Sequence, residues 1–243
     1  MVNVGCDKMN SHWQIDLYNR LNNATDMQDV LDTTLKIVKN WGFDYCGFRS
    51  KLPMPLAKHR FSALSSNEDK ISKKAENGEY DNSPLRKHCS QSIEPIFWGG
   101  TSDEPLFQQA PEMWEEYHGS GHLGGWAQSI IEAENMYSMF LVDSPFILTK
   151  KHFEYVDFKL QWVATAVLAR MNQIKLRPVV QLSEREKEVL KWTGDGKTAD
   201  EIAQILILSN STINFHLRKA MYKLNASNKT SAVVKAIYLN LLH

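Results

Sequence analysis

Apolar positions along this chain follow two rhythms. Ile213, Leu217, Ala220 and Leu224 stand at i, i+4, i+7 and i+11, and Val156, Leu160, Val163, Val167 and Met171 continue the same spacing to i+15. That is the pattern of one buried stripe on a helix. It predicts a helix capped by Ser209 and a long amphipathic helix over Thr149 to Ile174. Shorter patterns predict helices from Thr25 or Asp26 to Trp41, ended by Gly42, and from Pro105 to Tyr117. Phe43–Ser50, Lys58–Leu64, Trp126–Ile131 and Met136–Val142 read as strands, with turns at Pro53 and Pro55 and at Glu132–Asn135. The simplest packing is α+β: an antiparallel sheet between helical layers, an α/β/α sandwich, followed by a helical C-terminal part. Leu176 to Gln181 places a proline just after the long helix, so the expected division is a domain over 1–174, a linker over 175–182 and a domain over 183–243.

The C-terminal part carries the densest chemistry. Ser183 with Glu186, and Thr198 with Glu201, fit the capping box in which a hydroxyl and a carboxylate satisfy open amides at a helix start. Gly194 and Gly196 lie where left-handed backbone would end the first of these helices. The stretch from Thr198 to Leu224 then reads as two short helices joined by a tight turn, a helix-turn-helix. Opposite the buried stripe of its second helix stand Ser211, Asn214, Phe215, Arg218 and Tyr222. Asn and Arg can bond base edges through two atoms at once, and Phe can touch a thymine methyl.

Charge sharpens this picture. The whole chain is neutral, but residues 183–243 hold 9 Lys or Arg against 6 Asp or Glu, a net of +3, so the remainder carries −3. From Ile202 onward there are five bases (Arg218, Lys219, Lys223, Lys229 and Lys235) and no acid. A local basic face is the expected footprint of phosphate contact.

These residues closely resemble the LuxR-type DNA-binding domain of quorum-sensing regulators. Glu186, Leu190 and Gly196, then Glu201-Ile202-Ala203, Leu206, Ser209, Thr212-Ile213, His216 and Lys223-Leu224, match its motif. The resemblance implies four helices. The third reads double-stranded DNA, and the fourth, from Thr230 to about Leu242, supports a homodimer on a palindromic site. It places Asn214, Phe215 and Arg218 at base-facing positions, and Thr198, Ser211, Thr212, Lys219, Lys223 and Lys229 as candidates for phosphate. His216 is read as a packed or capping histidine. RNA polymerase is a further candidate partner for such a regulator.

The N-terminal part is similar to the autoinducer-binding domain of the same family, through Trp41-Gly42-Phe43-Asp44-Tyr45, Pro53-Met54-Pro55, Ile96-Phe97-Trp98 and Gly121 to Trp126. Members that bind acyl-homoserine lactones line the site with a Trp, a Tyr four residues later, an Asp before a Pro that takes the ligand amide, and a second Trp for the lactone carbonyl. Counting from Pro84 and Trp98, this chain has Lys70, Lys74 and Ser83 at the first three positions and keeps only Trp98. Gly47 and Ala127 fall where relatives often carry small hydroxyl residues. Losing the carboxylate and the phenol costs about 2–4.5 kcal/mol, on the order of 30- to 2000-fold in affinity. Ser65 to Ser83 offers just two large apolar side chains, Ile71 and Tyr80, and reads as a solvated helix or loop. With that loop remodelled, Tyr80 and Asp81 would partly replace the lost groups. The expectation is a sensor blind to lactones, either empty of ligand or taking another molecule with an anionic part on Lys70 or Lys74. An inhibitory partner that dimerises with a related regulator is a further alternative.

Other classes find little support. Cys6, Cys46 and Cys89 are odd in number and lack metal spacing, which fits a reducing cytoplasm. No apolar run approaches a membrane span of ~18 residues, and the first residues do not resemble a signal peptide. Asn23, Asn210, Asn225 and Asn228 match the glycosylation pattern by chance on this reading. His118 and His122 stand at i, i+4 beside Glu115 and Glu116, but the glycines at 119, 121, 124 and 125 argue against one helix. They are read as surface or capping histidines. No nucleotide, hydrolase or zinc-protease motif is present, so no catalytic residue, metal or cofactor is expected.

Overall fold

A computed structural model describes residues 13–51, 61–133, 136–175 and 180–242. The chain divides between Ile174 and Lys175 into two compact units. The first holds helices α1 (Trp13–Asn23) and α2 (Met27–Val38), strands β1 (Tyr45–Lys51) and β2 (Phe61–Ser65), and helices α3 (Lys70–Glu76) and α4 (Pro84–Gln91). Strand β3 (Ile96–Trp98), helices α5 (Pro105–Gln109) and α6 (Pro111–Gly119), strands β4 (Gly124–Ala133) and β5 (Met136–Ser144), and the long α7 (Lys150–Lys175) complete it.

The five strands form one antiparallel sheet in the order β2-β1-β5-β4-β3. Alternation along the strands sends side chains to opposite faces. Phe48, Trp126, Phe140 and Val142 join α1, α2 and α7 in the main core. Ala127, Tyr137, Met139 and Leu141 face the other way, against Leu85 and Cys89 of α4 and Trp114 of α6. The expected stripe on α7 is buried along its whole length. This is the α+β sandwich with helices on both faces.

Several boundaries differ from expectation. The helix expected to reach Trp41 ends at Val38 and tightens into a 3-10 turn over Lys39–Trp41. Pro105–Tyr117 is two helices, because Pro111 cannot extend the first and holds Ala110 at φ −151°. Of the solvated helix or loop expected over Ser65 to Ser83, the helix forms as α3 with Lys70, Lys73 and Glu76 exposed, but it is not wholly solvated: Ile71, Ala75 and Tyr80 pack with Ala63, Met113 and Tyr117 over the sheet. The turns expected at Pro53 and Pro55, residues 176–179 of the linker, the start of the Lys58–Leu64 strand, and Glu134 and Asn135 lie outside the described residues.

The second unit contains α8 (Glu184–Gly194), α9 (Ala199–Leu206), α10 (Asn210–Lys223) and α11 (Lys229–Tyr238). Val189, Leu190, Ile202, Ile213, Leu217, Ala220, Leu224 and Ala236 close its core. Both capping boxes form, at Ser183–Glu186 and at Thr198–Glu201. Among the described residues no helix is long and apolar enough to cross a membrane.

Candidate nucleic-acid interface and sensor interior

The helix-turn-helix is α9 and α10. Its turn is made by Ile207, in left-handed conformation at φ 54°, with Leu208 N–H closing on the Ala203 carbonyl at 2.9 Å. Ser209 caps α10 by accepting the Thr212 N–H at 3.1 Å, and its hydroxyl meets those of Ser211 and Thr212 at 2.7 and 2.8 Å. With Ile213, Leu217 and Ala220 buried, the opposite face of α10 presents Ser211, Asn214, Phe215, Arg218, Lys219 and Tyr222 to solvent. Lys219 Nζ lies 4.6 Å over the Phe215 ring, which leaves that ring half-exposed beside a cation. Asn214 donates to the Asn210 carbonyl at 3.0 Å and to the Asn210 side chain, and Asn210 in turn donates to Asp200. Lys229 is exposed at the start of α11. Thr198 donates its hydroxyl to Glu201 at 2.9 Å within the capping box.

Two of the five bases do structural work instead. Lys223 Nζ sits 2.7 Å from Glu186 Oε2, and Glu186 is 2% exposed. That ammonium ties the end of α10 to the start of α8, while Lys223 itself stays exposed, with 37% of its side chain open to solvent. Lys235 donates to the carbonyls of Leu224 (3.2 Å) and Asn225, satisfying the end of α10. Arg218, Lys219, Lys223 and Lys229 are all exposed; of these Lys223 is the one engaged by Glu186. His216 is half-buried beside Phe215, with Nδ1 inside the fold and without a hydrogen-bond partner among the described residues, which is a packed histidine.

In the sensor unit, the positions aligned with the lactone anchors are occupied by other business. Lys70 (2.9 Å) and Lys74 (2.7 Å) both pair with Glu116 of α6, and Tyr80 donates to the same carboxylate at 3.0 Å. Lys74, then Lys70, hold the Glu116 carboxyl down to about 2. Glu116 thus supplies the negative charge that Lys70 and Lys74 meet in this structure. Ser83 caps α4 by accepting the Arg86 N–H at 3.3 Å, with Pro84 in the first turn. Of the two residues that could replace the lost groups, Tyr80 donates to Glu116 and Asp81 pairs with Arg86.

Trp98 is buried, 5.6 Å from the Trp114 ring, and packs so closely on Gly125 that a Cβ there would meet its ring at 2.2 Å. Its Nε1 is buried without a partner among the described residues.

Sequence reasoning missed the charged groups behind these positions. Arg49, Arg86, His122 and Asp143 are all buried on the face of the sheet covered by α3, α4 and α6. His122, expected at the surface, is clamped between Asp143 (Nδ1, 3.1 Å) and Asp69 (Nε2, 2.9 Å) and stacks on Tyr45 at 4.0 Å. Burial alone would lower its pKa, but the two carboxylates outweigh burial and raise it. The available signal was a single Arg in the β1 pattern and an Asp where β5 should stay apolar. His118 is half-buried beside Phe107. Among the described residues no group of His, Cys, Asp or Glu could hold a metal.

Comparison with known proteins agrees with this construction. The model of the autoinducer binding domain matches residues 26–171, and that of the bacterial regulatory proteins of the luxR family matches residues 180–236. The chain is 30% identical over 237 residues to the transcriptional activator protein AnoR of Acinetobacter nosocomialis, covering 95% of this chain and 99% of that one. It is 27% identical to the quorum-sensing regulator RhlR of Pseudomonas aeruginosa, covering 95% and 96%. A crystal structure of Escherichia coli SdiA superposes with a TM-score of 0.73 at 22% identity, covering 95% of this chain and 98% of that chain, which shows a shared fold. The chain belongs to the LuxR family of bacterial transcriptional regulators, with an autoinducer-binding domain followed by a LuxR-type helix-turn-helix.

Proposed function

We propose that this regulator binds palindromic double-stranded DNA as a cytoplasmic homodimer, without catalytic activity, and does not answer to acyl-homoserine lactones. Asn214, Phe215 and Arg218 read base edges from the exposed face of α10. Thr198, Ser211, Thr212, Lys219 and Lys229 meet the phosphates, while RNA polymerase is the partner through which the bound dimer acts on transcription.

The observation that carries the lactone reading is Glu116. It draws Lys70, Lys74 and Tyr80 into one polar cluster, where lactone-binding relatives keep aromatic wall residues. An apolar acyl chain laid against that cluster would gain no apolar wall from the two lysines and would compete with their pairing to Glu116. One observation favours a second reading, a retained lactone response: Trp98 Nε1 is buried and unpartnered, the donor a ligand carbonyl would use.

Protein produced in a host that makes no lactones separates the two readings. The proposal expects a folded dimer that binds a palindromic duplex with the same affinity in the presence and absence of a lactone series. A lactone that raises DNA affinity tenfold or rescues solubility would establish the second reading instead. Monomeric protein with no preference for any palindrome would favour an inhibitory partner of a related regulator.

A further inference from the structure

The charged interior of the sensor unit is used neither by the helix-turn-helix nor by a lactone. Arg49 of β1 and Asp143 of β5 line one small cavity together with Tyr45, Ser65, Tyr117 and His122. Arg49 is 5% exposed, and its hydrogen bonds go to uncharged acceptors: the carbonyls of Phe48 (2.9 Å) and Leu64 (2.6 Å) and the hydroxyl of Ser65 (3.2 Å). Arg86 is 4% exposed. Its Nη1 meets Asp81 and its guanidinium stacks 4.3 Å over Phe61, but Nη2 has no partner among the described residues. Asp143 is the counterpart of opposite sign: Oδ2 bonds His122, and Oδ1 is buried without a partner among the described residues. Burial lowers the pKa of Arg49, Tyr117 opposes this, and Arg86 adds to the lowering, so the two guanidinium groups feel one another.

One face of the sheet therefore holds an unmatched buried donor and an unmatched buried acceptor, beside a guanidinium that no carboxylate bonds. An apolar acyl chain would leave all three unsatisfied. A carboxylate matches the planar fork of a guanidinium, and a hydroxyl or ammonium matches a free carboxylate oxygen. We infer that the sensor unit takes a small amino- or hydroxy-carboxylic acid, its carboxylate on Arg49 and its donor on Asp143, the two cavity-lining groups of opposite charge. The inference rests on the proposed insensitivity to lactones. The cavity, at about 20 Å³, has room for roughly one water. The acid therefore enters by spreading α3 from the sheet, and the contact between Asp69, which caps α3, and His122 is the one that must open.

The test is thermal unfolding of the full chain with the common L-amino acids and a series of 2-hydroxy carboxylates from glycolate to phenyllactate, each beside its methyl ester. At least one free acid should raise the melting temperature by roughly 5 °C or more at about 100 times its dissociation constant, and its ester should not. This comparison is made in the unaltered protein, so it does not depend on a variant folding. Arg49→Met and Asp143→Asn should then each weaken the response at least tenfold. No shift across the whole series means that water satisfies these groups, and overturns the inference. An equal shift from acid and ester, or full response in both variants, overturns it as well. A shift produced by a homoserine lactone instead would overturn the lactone-blind reading, and DNA binding, measured separately by fluorescence anisotropy, reports on the regulator itself.

Discussion

His122 Nε2 lies 2.9 Å from Asp69 Oδ2, and its other ring nitrogen lies 3.1 Å from Asp143. With a carboxylate at each nitrogen, the ring is held as imidazolium, and it links the cap of α3 to β5. Its folded pKa is raised above the ordinary 6.5, whereas that of Asp69 is lowered below 3.8. For the histidine, the stability gained is complete below pH 6.5 and is lost as pH rises through the folded value. For Asp69, it is present above pH 3.8 and is lost as pH falls through the folded value. His122→Gln should therefore lower the melting temperature most between about pH 4 and 6.5, with a smaller deficit at higher pH. A deficit that grows with pH would contradict the clamp.

Lys223→Ala should destabilise the helix-turn-helix unit by about 1–3 kcal/mol, since it leaves the buried Glu186 without its cation. Denaturant unfolding reads the loss. The salt dependence of DNA binding should stay close to that of the parent protein, because the ammonium is already committed to Glu186. A reduced salt slope with unchanged stability would return Lys223 to the phosphates.

Lys219→Ala and Lys229→Ala should behave the other way. Each should reduce the slope of log affinity against log salt by about one while leaving sequence preference unchanged. Arg218→Ala should cost roughly 1–3 kcal/mol of discrimination between the preferred site and one altered at the contacted base. Competition binding at fixed salt separates these effects, and equal losses on both sequences would remove Arg218 from base readout.

What the sequence made legible follows from how local each signal is. The stripes Ile213-Leu217-Ala220-Leu224 and Val156 to Met171, and both capping boxes, depend on neighbours within a few turns, and all are formed. The sensor interior depends on residues far apart in the chain. Asp69 and His122, or Lys74 and Glu116, meet through the folding of α3 and α6 over the sheet. Counting from Pro84 and Trp98 singles out positions 70, 74 and 83, but says nothing of the partners their side chains meet. The bases on α10 were legible as charge; which of them has a carboxylate partner required the position of Glu186 on α8.

Ile207 holds the turn between α9 and α10 at φ 54° while 91% exposed. A β-branched residue in left-handed backbone is strained by roughly 1–2 kcal/mol, and this side chain returns little packing. Ile207→Gly should stabilise the helix-turn-helix by about 1 kcal/mol after the entropy of the unfolded glycine is counted. Hydrogen exchange at the Leu208 amide, which bonds Ala203 across the turn, should slow correspondingly. Unchanged or faster exchange would show that the Ile207 side chain is stabilising where it stands.

Restoring the lactone anchors is a test of the whole sensor reading. Lys70→Trp, Lys74→Tyr and Ser83→Asp together supply the aromatic walls and the amide acceptor, but they also remove both cations from Glu116. That carboxyl is held down to about 2 by those lysines. The triple variant should therefore be less stable than the parent, by a margin that is full above about pH 4.5 and closes as pH falls toward 2. Adding Glu116→Gln should recover most of the stability, because an amide can still accept from Tyr80. Melting in a lactone series should then show a response in the quadruple variant and none in any single one. A lactone response in Ser83→Asp alone would mean that the amide acceptor was the decisive loss, and that Lys70 and Lys74 were never in the way.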